Sequence, residues 1–246
     1  MKEKAYKLLA FQEGISNGKA KELIDKGVVS VNGKKLQIAR GEIHRDTIFK
    51  VKEIASARII FEDDDILVVD KPAFLNAQEV ESKFPQAVLL NRLDKETSGV
   101  MMLAKNEPFR KKAIKEFKNH NVYKEYVAVV DGKIVEELEI DMPISTIKGK
   151  TARSRIDENH GKPAKTTIYP SMIEGNKSKI KIVIENGRTH QIRVHLQYAG
   201  IPIIGDLQYG KSSNQVQRVM LHSKVTRILG YEFQAKEPKE FYHFGF

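Results

Sequence analysis

Between Ile59 and Glu185 the apolar residues fall mostly into strand-length runs, and this pattern restricts the fold more than any other feature of the chain. Ile59-Ile-Phe61, Ile66-Leu-Val-Val69 and Val100–Ala104 are too short for core helices. Val122–Val130 reads as a further strand, and Lys179–Glu185 alternates basic and apolar residues with the period of a half-buried strand. Two segments carry helix signals instead. Asn106 is placed to cap a helix running to about Asn119, with Pro108 in its first turn and Phe109, Ala113, Ile114 and Phe117 as its buried stripe. Thr189 is placed to cap a second helix, through Ala199, that Gly200 stops. Several antiparallel strands with fewer helices predict an α+β domain over residues 57–246.

Residues 1–56 read as a separate small module. Tyr6, Leu8, Leu9 and Phe11 suggest a short helix. Ser16 is a natural N-cap for a second helix, Asn17–Lys26, which Gly27 terminates. Val28-Val-Ser-Val-Asn-Gly33 is a strand running into an Asn-Gly hairpin turn, and a strand near Ile48–Val51 closes the unit.

Charge points to a polyanionic partner. The chain carries 42 Lys+Arg against 32 Asp+Glu, a net of +10. Residues 1–56 hold 12 of the basic and 7 of the acidic residues, so half the excess lies in under a quarter of the length. Nucleic acid is the first partner such a balance implies and an anionic membrane surface the second. No run is long and apolar enough to span a bilayer, and the N-terminus lacks a secretory signal pattern. Cysteine is absent, which excludes disulfides and thiolate zinc sites and suits a reducing cytoplasm.

The familiar catalytic motifs are missing. There is no Walker loop and no Gly-x-Ser-x-Gly elbow. His190 and His195 are five apart, about 140° around a helix, so they do not share a face as paired zinc ligands do. Glu62-Asp-Asp-Asp65 lies at a turn without alternating ligand spacing and reads as a solvated turn. Three polar segments remain. In Asn91–Gly99, Asp94 sits between Arg92 and Lys95 just before the apolar Val100–Ala104; alone it reads as a turn aspartate. In Tyr123-Lys-Glu-Tyr126, strand alternation sends the two tyrosines to opposite faces. In Gly187–His195, helical geometry groups His190, Arg193 and Gln197, and a helix starting here could present N–H groups to a phosphate.

Together these segments resemble the RluA-type pseudouridine synthases. The resemblance is carried by Asp65–Pro72, Asn91–Gly99, Lys124–Ala128, Gly187–Leu196, Ile201–Asp206 and Leu221-His222, in the expected order. The first module resembles the S4 RNA-binding domain through Ser16–Leu23 and Lys26–Lys34. The sequence departs from the family at Asn91, usually His, and at Phe74, where Gly commonly follows Lys-Pro-Ala.

The resemblance implies a two-helix S4-like domain ahead of a catalytic domain with a central, mainly antiparallel sheet. It implies isomerisation of uridine in structured RNA without cofactor or metal, by a chain expected to be monomeric and cytoplasmic. Large-subunit ribosomal RNA is the favoured substrate, with transfer RNA the alternative target. Asp94 matches the essential aspartate, Arg193 the arginine paired with it, and Tyr126 the tyrosine against the base and a candidate for the C5 proton. Arg92 matches an arginine that fills the space of the flipped base. Lys19, Lys26, Arg188, His190 and Gln191 are expected RNA contacts. A non-catalytic S4-type assembly factor is the alternative class, and a ribosome-associated hydrolase a weaker one. The joint presence of Asp94, Tyr126 and Arg193 speaks against a binding-only domain.

Overall fold

The computed structural model describes all 246 residues except positions 148, 150, 151, 211, 212 and 214. The chain divides into two compact units. One is Met1–Ala55 with Ser213–Gln217; the other is Ser56–Ser212 with Arg218–Phe246.

The smaller unit runs β1 (Lys2–Lys4), α1 (Ala5–Glu13), α2 (Asn17–Lys26), β2 (Val29–Val31), β3 (Lys34–Lys35), β4 (Glu42–His44) and β5 (Phe49–Val51). The local signals act as their chemistry dictates. Ser16 Oγ accepts the N–H of Lys19 at 3.1 Å and caps α2, and Gly27 ends it at φ +76°. Asn32 and Gly33 both have positive φ, 50° and 77°, which a type I′ turn between β2 and β3 requires. The carboxamide of Gln12 imitates a strand toward β5: it donates to Phe49 O and accepts from Phe49 N, both at 2.9 Å. Leu9, Ala20, Ile24, Val28, Val29 and Phe49 form the buried interior.

The larger unit contributes β6 (Arg58–Glu62), β7 (Ile66–Lys71), α3 (Ala77–Glu81), β8 (Val88–Leu89), β9 (Ser98–Ala104), α4 (Glu107–Lys118) and β10 (Tyr123–Asp131). There follow β11 (Leu138–Asp141), β12 (Ile144–Ile147), β13 (Arg153–Ile156), β14 (Lys165–Glu174), β15 (Lys177–Ile184), α5 (Gln191–Tyr198), β16 (Leu221–Ile228), β17 (Tyr231–Gln234) and a 3-10 turn at Lys239–Tyr242. Among the described residues, one mixed sheet has the order β11-β14-β15-β10-β16-β9-β7-β6, with β17 paired to β16 and β8 to β9. All its pairings are antiparallel except β16 with β9. β12 and β13 form a separate hairpin. The sheet is therefore mainly antiparallel and the helices few, in line with the α+β expectation.

The exceptional parallel pair positions the site. It joins His222 to Ser98 and Ser223 to Gly99, at the start of β9, directly after the Asn91–Thr97 loop. Gly99 has φ +114°, and a Cβ there would lie 2.0 Å from Ser223 O. Beside this pair, β10 and β16 shift register between Glu125 and Tyr126, with Lys224 as the extra residue of β16, while β10 keeps an unbroken register with β15.

Two local expectations need correction. Ile114 is 49% exposed and does not belong to the buried stripe of α4, which Phe109 and Ala113 supply with the partly buried Phe117 packed beside them. Helix α5 is not capped by Thr189. Its N-cap is His190, at φ +56°, and the side chain of that residue makes no capping bond. A histidine spends conformational energy in the left-handed region, so something outside the helix must hold it there.

Gly99→Ala tests the close approach. The added methyl must displace backbone, and we expect a loss of more than about 3 kcal/mol, or roughly 10 °C in melting temperature for a domain this size. A thermal melt followed by circular dichroism measures it, and an unchanged Tm would contradict the β9–β16 geometry.

Candidate active site

The site is built around a turn. Asp94 O accepts the N–H of Thr97 at 3.1 Å, and the segment around it is fastened from several directions. Asn91 Oδ1 accepts from Met102 N at 2.8 Å, so the residue that departs from the family is tied to β9. The carbonyl of Lys95 accepts from Phe74 N at 2.7 Å and from Lys71 Nζ at 3.2 Å. The carbonyl of Glu96 accepts from Arg218 Nη1 at 3.2 Å, and its carboxylate accepts from Val219 N at 3.0 Å.

Two buried cations thus serve the loop. Lys71 is fully buried and donates to the carbonyls of Pro72, Leu75 and Lys95, a set that uses all three N–H groups of an ammonium. Burial pulls this ammonium down to about 7, with the Asp94 charge acting the other way. Arg218, also buried, donates to Ser98 Oγ at 3.2 Å and lies over the Phe241 ring. Ser98 Oγ lies 2.9 Å from His222 Nδ1, and His222 Nε2 faces the Ala235 carbonyl at 3.4 Å. A carbonyl only accepts, so Nε2 carries the proton and Nδ1 takes the Ser98 hydroxyl hydrogen. Burial pushes His222 down to about 4, which keeps it neutral.

Phe74 has φ +73° and a buried ring. The left-handed conformation explains why glycine suits this position in the family. Here a buried aromatic ring offsets a backbone cost of about 1–2 kcal/mol.

Arg193 is the centre of the charge network. Its Nε donates to Asp206 Oδ2 at 2.6 Å and its Nη2 to Asp206 Oδ1 at 2.9 Å. The remaining face reaches Asp94: Nη1 donates to Asp94 Oδ2 at 3.0 Å. The fork therefore grips Asp206, and Asp94 receives one bond. Burial opposes the charge of Arg193, but Asp206 outweighs it and raises the guanidinium above its ordinary value. Asp206 is fully buried; burial raises its carboxyl, yet the Arg193 bonds prevail and hold it below the usual range. Asp206 Oδ1 also accepts from Gln208 N and Tyr209 N at 3.0 and 3.1 Å, a turn that follows Gly205 at φ +81°.

Asp94, Arg193 and Tyr126 line one cleft together with Arg92, Arg188 and His190. Tyr126 is buried in the sheet, while Tyr123 points the other way and donates to Glu125 at 2.7 Å. Burial pushes the Tyr126 phenol up to about 12, Ser223 works against this by hydrogen bonding, and Asp94 adds to it. Arg92 is exposed and makes no ion pair or hydrogen bond among the described residues. Arg188 is half-buried, with Nε on Pro163 O at 3.0 Å. His190 Nε2 lies 3.7 Å from Asp94 Oδ2.

Other expected contacts fall elsewhere. Gln191 lines the cleft, but its amide is spent on Lys165 O, Thr166 Oγ1 and Arg188 N, so it serves the scaffold. Gln197 is exposed and does not join His190 and Arg193. Lys19 and Lys26 belong to the smaller unit and both pair with Glu22, at 3.1 and 2.9 Å. The sequence reading assigned no role to Asp206, Lys71, Arg218 or Tyr209. Asp206 closes the Ile201–Asp206 stretch, and its thirteen-residue separation from Arg193 is not a spacing that any local rule flags.

No described helix is long and apolar enough to cross a membrane, and no cluster of three potential metal ligands occurs among the described residues. The RNA pseudouridylate synthase family matches residues 65–198, which contain Asp94, Tyr126 and Arg193. An "Uncharacterized RNA pseudouridine synthase" of Helicobacter pylori (strain J99) is 50% identical over 97% of this chain and 99% of its own length. The "Ribosomal large subunit pseudouridine synthase D" of Pasteurella multocida is 29% identical over 79% of this chain and 69% of its own. Among solved structures, human RNA pseudouridylate synthase domain containing 1 superposes with a TM-score of 0.65 at 29% identity, covering 74% of this chain and 84% of that one. The chain belongs to the RNA pseudouridine synthase family, enzymes that isomerise uridine within RNA.

Two variants probe the buried groups. Asp206→Asn leaves the Arg193 charge without its main partner, and we expect about 3–5 kcal/mol of lost stability in denaturant titration. A loss under 1 kcal/mol would show that the fork is dispensable. His222 has a folded value near 4 against about 6.5 unfolded, so the unfolded chain binds its proton first as pH falls. Its contribution is present above pH 6.5 and is lost between 6.5 and 4, at roughly 3 kcal/mol in all. His222→Gln should flatten the stability profile across that window, and an unaltered profile would remove His222 from the acid response.

Proposed function

We propose that the protein converts specific uridines of large-subunit ribosomal RNA to pseudouridine, with Asp94 as the reacting carboxylate. The supporting observation is the single bond from Arg193 to Asp94 Oδ2, beside Tyr126 in one cleft within the family-matched segment. The target class rests on relatives named as ribosomal large subunit pseudouridine synthases.

The reaction breaks the N1–C1′ bond, turns the uracil and joins C5 to C1′, with no net redox change and no group lost. The carboxylate acts as nucleophile or base, and the ring needs a wall to turn against. Arg193 holds only Oδ2; no described donor occupies Oδ1, so Oδ1 is the oxygen we assign to the substrate. Tyr126 packs against the flipped ring. Its phenol, raised to about 12, would cost about 7 kcal/mol to ionise at neutral pH. Stacking is therefore its better-supported role, and Asp94, once released, is the better candidate to take the C5 proton.

Flipping a uridine costs roughly a few kcal/mol. Arg92, exposed and unpaired among the described residues, is the side chain we assign to the vacated stack. The smaller unit, read as an S4-type domain, contributes phosphate contacts through its excess of basic residues.

Incubation with uridine-containing ribosomal RNA, followed by pseudouridine detection, tests this reading. Asp94→Asn should bind RNA within a few-fold of wild type and form no pseudouridine. Turnover by that variant would remove Asp94 from the chemistry, and product on transfer RNA alone would move the substrate class. Affinity should fall steeply with added salt; a salt-independent affinity would contradict the role of the basic unit.

A further inference from the structure

His190 lies beside Asp94 in the cleft, and its orientation is set by a residue with no part in the assignments above. His190 Nδ1 lies 2.8 Å from the Tyr209 hydroxyl, with the two rings edge to face at 75°. That hydroxyl already accepts the N–H of Ser154, in β13, at 2.7 Å. It has one hydrogen of its own, and His190 Nδ1 is the acceptor within reach among the described residues. The Arg193 guanidinium lies 4.9 Å over the same phenol ring, which makes the hydroxyl a better donor. With that hydrogen donated to Nδ1, the imidazole is neutral and carries its proton on the other nitrogen. That nitrogen, Nε2, faces Asp94 Oδ2 at 3.7 Å.

We propose that Tyr209 and His190 are positioning residues for the reaction: Tyr209 fixes the Nε2–H tautomer of His190, which turns a second donor toward Asp94 Oδ2 beside Arg193. The proposal rests on reading Asp94 as the reacting carboxylate. Arg193 bonds Oδ2, and the His190 N–H faces the same oxygen at 3.7 Å, longer than a hydrogen bond; its closure on substrate binding would hold the carboxylate against rotation and keep Oδ1 toward the substrate. The groups that face His190 are Asp94, Arg193, Asp206 and Tyr209. Burial lowers its ordinary value, partly offset by Asp94, which agrees with a neutral ring. The arrangement also accounts for the left-handed backbone of His190, since contacts outside α5 hold the residue where a helix cap would not.

The two roles open to His190 predict opposite orders of activity. Asparagine tolerates a positive φ best, so a purely backbone role makes His190→Asn the milder change. Glutamine places an amide N–H near the Nε2 position while fitting the backbone less well. We expect His190→Gln to keep kcat within several-fold of wild type, and His190→Asn to lose roughly tenfold to a hundredfold in kcat with little change in KM. The reverse order overturns the proposal.

Nitrogen NMR of histidine-labelled protein gives a readout independent of turnover. Wild type should show a neutral His190 with the proton on Nε2, and Tyr209→Phe, which removes only the hydroxyl, should shift it toward Nδ1–H. A wild-type ring protonated on Nδ1, or a tautomer unaffected by Tyr209→Phe, overturns the proposal. Were Asp94→Asn to prove as active as wild type, the role of Asp94 would fail while the tautomer measurement still decided what Tyr209 does.

Discussion

A buried arginine is tolerable only with a carboxylate to match it, and in this fold Asp206 meets that need for Arg193. The cost of burying both charges is offset within the scaffold, before any substrate arrives. This frees the third edge of the guanidinium to hold Asp94 by one bond. Had the fork closed on Asp94, both carboxylate oxygens would be occupied and the group would be spent on structure. Two aspartates divide the labour: one neutralises, and the other stays available.

The same economy governs the loop that carries Asp94. Lys71 directs its three donors at backbone carbonyls, and Arg218 directs Nη1 at backbone carbonyls and a serine hydroxyl while its Nη2 lies 3.7 Å from the Glu240 carboxylate. Such bonds fix the path of the chain, and a turn pinned at Asn91, Lys95, Glu96 and Ser98 has little freedom left. Rigidity of this kind keeps a reacting group within a fraction of an ångström of its working position. The parallel contact of Gly99 with Ser223 completes it, because a backbone approach that close cannot drift.

What was legible in the sequence was local. Ser16, Gly27 and Asn32-Gly33 act through neighbours within four residues, and the strand runs follow from a period of two, so both could be read directly. The start of α5 could not. Thr189 has the right chemistry for a cap, but His190 is held in a left-handed conformation next to Tyr209, nineteen residues on, and Asp94. Ile114 has the right spacing for the core of α4, yet the apolar surface beneath that helix is satisfied by Phe109 and Ala113. In the site, Asp94, Tyr126 and Arg193 were visible through resemblance, and the structure brings them together. Their support was not visible, because Asp206, Lys71 and Arg218 acquire their function from partners that only the folded sheet supplies.

The two departures from the family pattern look alike in sequence and differ physically. Asn91 supplies an acceptor to Met102 N and extends the β8 side of the ladder by a side chain, a need that any acceptor of the right reach would meet. Phe74 meets a conformational demand, φ +73°, for which its type is poorly suited, and relies on its buried ring and on the bond from its N–H to Lys95 O. The first is an exchange of equivalent chemistry; the second places strain one hydrogen bond away from the loop of Asp94. The same carbonyl also accepts from Lys71 Nζ, so the loop is held by a second bond independent of Phe74. The position of Asp94 therefore depends on Phe74 and Lys71 jointly, and neither could change without the other carrying more of the loop.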